Sequence, residues 1–115
     1  MAIDDKIYRR LVDDTFARID RAFEDADPDL AESALSQGSL TVTLRNTVRL
    51  ILSPQTAVHQ IWVAYRDRAW HFDRDETGRR WLDDRGDGID LYDLVERISR
   101  EGAGVEVKIV RESAE

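Results

Sequence analysis

The hydrophobic pattern of this chain changes period twice, and that change limits the folds open to it. Between residues 5 and 26 the apolar side chains recur at helical spacing. Ile7, Tyr8, Leu11, Val12, Phe16, Ile19, Ala22, Phe23 and Ala26 gather on one side of a wheel turning ~100° per residue. Asp4 or Asp5 can cap the start of this helix. Asp27-Pro28 is expected to end it, because the residue before a proline is pushed out of the helical region.

The period then becomes two. Leu40, Val42 and Leu44 alternate with Thr41 and Thr43, and Val48, Leu50 and Leu52 alternate with Arg49 and Ile51. Gln37-Gly38 precedes the first of these runs as a turn, and Asn46 lies between the two as another. Residues 58–65, 69–73 and 79–82 read as three further strands, and Glu32–Leu35 as a short edge strand. Such closely spaced runs pair antiparallel. A second helix follows, capped by Asp90, with Leu91, Leu94, Val95 and Ile98 on one face and Gly102 as its expected stop. Val105, Val107 and Ile109 alternate with charged residues and suit an extended packed segment.

The expected fold class is therefore α+β, an α-β sandwich with two helices on one face of a five- to six-stranded antiparallel sheet. The other sheet face is left to solvent or to a partner. At 115 residues the chain fits a single domain over 1–115, with a core of about 5–102 and a tail at 103–115. It has no cysteine, which excludes disulfides, thiolate metal sites and cysteine nucleophiles. No apolar run approaches the ~18 residues of a membrane span. The acidic start, Met1-Ala2-Ile3-Asp4-Asp5-Lys6, is unlike a signal peptide, so a cytoplasmic location and no membrane partner are expected. The net charge is −7, from 24 acids and 17 bases, which disfavours nucleic acid and favours cations or a basic protein surface.

The acids of the first helix are unevenly placed. Arg10, Asp14, Arg18, Arg21 and Asp25 mix both signs at spacings that allow pairing. Arg9, Asp13, Ala17, Asp20, Glu24 and Asp27 form a second sector that is acidic below Arg9, and Asp29 and Glu32 continue it. Neighbours ~5–6 Å apart on a helix lie inside the ~8 Å screening length of physiological salt, so their fields add. A ridge of hard oxygen donors without histidine or thiolate suits weak, exchangeable binding of cations, and does not itself select iron over other divalent ions. An ordinary solvated acidic face is the competing account.

Other motifs carry less. Asp83-Asp84-Arg85-Gly86-Asp87-Gly88 fails as a calcium loop, since its third position is Arg85 and its twelfth is Leu94. His59 and His71 have no ligand motif around them and suit surface or partner contact better than metal. No serine has an adjoining base, so no catalytic triad is expected. Ile61 and Val63 form the natural core pair of their strand, which places Trp62 on the open face as an anchor for a partner.

VHQIWVAYRDRAWHFD, residues 58–73, resembles the signature of bacterial frataxins. SLTVTL at 39–44, RRWLDDRGDGIDLYDLVERI at 79–98 and the spacing of Leu11, Phe16, Ile19 and Phe23 extend the resemblance over about residues 5–102. It implies a protein that binds ferrous and ferric iron weakly and modulates iron–sulfur cluster assembly. Its implied partners are the cysteine desulfurase and the cluster scaffold. The iron ligands carried over by position are Asp20, Glu24, Asp25, Asp27, Asp29 and Glu32. Trp62 and Gln60, with His59 and Asp13, are the implied partner contacts. The resemblance implies a binding protein rather than an enzyme, although weak ferroxidase activity is associated with some relatives. A monomer is expected, with iron-dependent association as its variant. Ser53, Ala57 and Arg21 depart from the family pattern, and Arg21 thins the ridge. Two alternatives stand beside this reading: a metal-independent acidic interaction module and an iron-oxidising enzyme.

Overall fold

The computed structural model of the protein describes residues 3–45, 47–75 and 79–111. Asn46 and Gly78, expected at turns, lie outside these residues, as do Met1, Ala2 and the end of the tail. Helix α1 spans Asp5–Ala22 and helix α2 Leu91–Ala103. Between them run β1 (Ala31–Ser36), β2 (Ser39–Leu44), β3 (Arg49–Gln55), β4 (Gln60–Tyr65), β5 (Arg68–Asp75) and β6 (Arg80–Asp83). The six strands form one antiparallel sheet in chain order, β1 to β6. Both helices pack on one face of it, through Tyr8, Val12, Phe16 and Ile19 of α1 and Leu91, Leu94, Val95 and Ile98 of α2.

Helix α1 ends four residues before the expected position. Phe23 closes it in right-handed geometry, with its N–H bonded to Asp20 and Arg21 carbonyls. Phe23 stays buried and Ala26 half-buried, so the apolar spacing continues although the helix does not. The chain has to reverse toward β1, and Asp27 closes that reversal. Its side chain accepts from Asp29 N–H at 3.0 Å, and its carbonyl accepts from Leu30 and Ala31.

Two further expectations are corrected, at His59 and at Gly102. Pro54 lies within β3. Residues Ser53–Gln55 pair with β4 but have no β2 partner, so the missing N–H of proline breaks no ladder. His59 precedes β4 in left-handed geometry (φ 53°), after a 3-10 turn at Thr56–Val58, because the chain must swing round tightly between β3 and β4. Helix α2 stops at Gly104 (φ 67°), not Gly102. Gly102 serves a different need, since a Cβ there would come within 2.7 Å of Tyr65 Oη and 2.9 Å of Leu44 Cδ1.

Buried polar groups tie the layers together. Thr15 Oγ1 accepts from Trp81 Nε1 at 2.9 Å, joining α1 to β6. Tyr8 Oη donates to the Gln60 carbonyl and accepts from Gln55 N–H at 2.9 Å, joining α1 to both ends of the β3–β4 connection. Burial raises the Tyr8 pKa against the opposing hydrogen bond from Gln55. The extended tail buries Val105, Val107 and Ile109. Glu96 of α2 holds it by accepting from Ile109 N–H and from Arg111.

Candidate functional site: an acidic edge and an open sheet face

The early end of α1 distributes the acids over three pieces of backbone. Asp13 and Asp20 belong to the helix, Glu24, Asp25, Asp27 and Asp29 to the turn after it, and Glu32 to β1. Asp20, Glu24 and Glu32 line a shallow depression of about 300 Å³ at the α1–β1 junction, together with Ser33 and Pro28. Asp20 accepts from Ser33 Oγ at 2.5 Å, which fixes one of its oxygens toward β1. Asp25 lines a separate groove with Arg18, Arg21 and Lys108, consistent with its mixed-sign sector on the helix. Asp13 sits beside Arg9 and Arg10 near the start of α1.

None of Asp20, Glu24, Asp25, Asp27, Asp29 and Glu32 is in an ion pair among the described residues. Among the arginines of α1, Arg18 takes Asp14 at 2.8 Å and the Val110 carbonyl at 3.0 Å. Nor do any three Asp, Glu or His side chains among the described residues converge as a metal site. The donor set is thus hard oxygen on a solvated edge. It fits exchangeable cations held by field and water more than a closed coordination sphere.

The second surface is the open sheet face. Trp62 is 39% exposed there, as the alternation of β4 requires. Its ring stacks on His71 of β5 with centroids 4.4 Å apart and planes at 16°, a consequence of the register that sets the two residues opposite each other. Trp62 Nε1 donates to Gln60 Oε1 at 2.9 Å, and Gln60 Nε2 donates to Asp73 and Asp84 at 3.1 Å each. His71 Nδ1 lies 3.7 Å from Asp84. Gln60 therefore holds the indole in place, which makes Trp62 a fixed platform. His59 is not part of this platform. It faces α1, with Nε2 2.7 Å from Asp5 and its ring 5.1 Å from that of Tyr8. His71 was expected at the surface or at a partner, whereas Asp73 and Asp84 were not singled out from the sequence. Their signal was available in the two-residue period of β5, which puts His71 and Asp73 on the face of Trp62.

A family model for the frataxin-like domain matches residues 1–105. The iron-sulfur cluster assembly protein CyaY of Azotobacter vinelandii is 36% identical over 108 residues, covering 94% of this chain and 96% of that protein. The protein of the same name from Stutzerimonas stutzeri is 39% identical over 106 residues, covering 90% and 93%. Among solved structures, frataxin from Psychromonas ingrahamii superposes with a TM-score of 0.85 at 21% identity, covering 95% of this chain and all of that one. A trimeric yeast frataxin described as complexed with ferrous iron superposes with a TM-score of 0.66 at 20% identity, covering 91% and 90%. The chain belongs to the frataxin-like family.

Proposed function

We propose that this protein is an iron-binding modulator of iron–sulfur cluster assembly, acting in the cytoplasm on a cysteine desulfurase and its scaffold. Iron is its cargo, taken up at the acidic edge by Asp20, Glu24 and Glu32, with Asp27 and Asp29 adding to the field. The observation that carries the reading is the absence of ion pairs at those carboxylates among the described residues. Their repulsion is relieved by a mobile cation or by a basic surface of the desulfurase. The Trp62 platform is the face offered to the scaffold. Relatives at 36% and 39% identity that are named for iron–sulfur cluster assembly support the role.

An anaerobic NMR titration with Fe²⁺ tests it. Broadening is expected to localise to residues 20–32. Asp20→Lys combined with Glu24→Lys is expected to lower both iron and desulfurase binding about tenfold while the domain stays folded, since Glu24 is exposed and half-buried Asp20 gives up one hydrogen bond, from Ser33. Unchanged titrations for both ligands would overturn the assignment.

The lack of a convergent ligand cluster among the described residues favours one second reading, an acidic interaction module that needs no metal. Desulfurase binding that falls with salt and ignores Fe²⁺ would select it.

A further inference from the structure

In a chain of net charge −7, four arginines gather at one end of the sheet. Arg45 lies just after β2, Arg49 opens β3, Arg66 is in the β4–β5 turn and Arg68 opens β5. Thr43 pairs with Arg49, Leu50 with Tyr65, and Tyr65 with Arg68, so the register gathers these residues at the same end of adjacent strands. Adjacent strands run ~4.8 Å apart, close enough for like charges to repel. All four are exposed, and none is in an ion pair among the described residues. Asp67 lies within the cluster, and Glu32, paired with Thr43, borders it as the diagonal cross-strand neighbour of Arg45.

Two of the guanidinium groups are held in place. Arg66 lies 5.5 Å from the centroid of Tyr65 and donates to its hydroxyl at 3.4 Å. Arg68 lies 4.8 Å from the centroid of Trp70. Planar guanidinium groups set in advance suit carboxylates, and their ordering lowers the entropy lost on binding. A few residues along the open face from Arg49 are Ile51, 37% exposed, and then Ser53, which pairs with Trp62. A long polyphosphate is disfavoured by the acidic edge that begins at Glu32 on the same sheet.

We infer that this arginine cluster is a docking surface for an acidic protein segment that wraps the end of the sheet, its carboxylates meeting Arg45 and Arg49 on the open side and Arg66 and Arg68 on the side of Tyr65 and Trp70, while an apolar residue meets Ile51. The inference extends the open-face reading proposed above, and the two are separable by experiment.

The probe is a ten-residue peptide of alternating glutamate and leucine, titrated into the isotopically labelled protein at low salt. Shifts are expected at residues 45, 49 and 66–68. Arg49→Glu combined with Arg66→Glu is expected to weaken the peptide at least tenfold and to leave the Fe²⁺ titration unchanged, whereas Asp20→Lys with Glu24→Lys leaves the peptide affinity intact. Binding that survives the arginine reversals overturns the inference. So do shifts placed elsewhere, no shift at all, or tighter binding of a uridine oligonucleotide of equal charge. Loss of scaffold binding in Trp62→Ala bears on the open-face reading alone.

Discussion

Single side chains carry much of the distinction between fold and function here. Trp62 and Trp81 are the same residue type on neighbouring parts of one sheet, yet Trp81 is 1% exposed and bonded to Thr15, while Trp62 lies open on His71. Trp62→Ala is therefore expected to cost about 1 kcal/mol of stability, far below the ~3–5 kcal/mol of a buried tryptophan truncation, while weakening scaffold binding. Urea unfolding beside a binding titration measures both. Asp83 has the opposite character. Both its oxygens are buried without a hydrogen-bond partner, and Arg85 Nε is 3.6 Å away on an exposed side chain. A carboxylate taken from water and left unsatisfied is destabilising. Asp83→Asn keeps the shape, removes the charge and is expected to raise the unfolding free energy by about 1 kcal/mol in a urea titration. The side of β4 that Trp62 occupies was legible in the alternation of Ile61 and Val63. The burial of Asp83 without a hydrogen bond was not, because it depends on how the chain after β6 folds back on it.

Among the elements, the tail and the first helix show best what local pattern conveys. Val105, Val107 and Ile109 alternate and are buried as that spacing requires. What fixes the tail is Glu96, thirteen residues away from its nearest tail partner, and no short-range pattern announces it. Burial pushes the Glu96 carboxyl up, but hydrogen bonds from Arg111 and Ile109, with the charges of Arg111 and Lys108, outweigh it and hold the group below its ordinary value of 4.5. A folded pKa below the unfolded one gives stability that is present above 4.5 and lost as the pH falls through the folded value. Glu96→Gln should thus unfold at lower urea than the parent at pH 7. The gap should narrow steadily below pH 4.5, and a gap independent of pH would refute this account. Helix α1 was legible in its apolar stripe but not in its end. Phe23 and Ala26 keep the spacing after the helical hydrogen bonds have stopped, and only the Asp27 turn reveals why.

At the scale of the whole molecule, the sandwich followed from two changes of period, and the acidic edge from the lack of interleaved bases after Asp13. The division of that edge into a depression at Asp20, Glu24 and Glu32 and a separate groove at Asp25 did not, since it needs the three-dimensional path of the turn. The strand order has a consequence for how the protein reaches this state. Every strand pairs with its neighbour in the chain, so each ladder grows from a hairpin and no strand waits for a distant partner. The slow search is left to the two ends, where α1 and the tail close over a sheet already zipped. The acidic edge, made of pieces from α1 and β1, is thus complete only once the first helix has docked on the sheet.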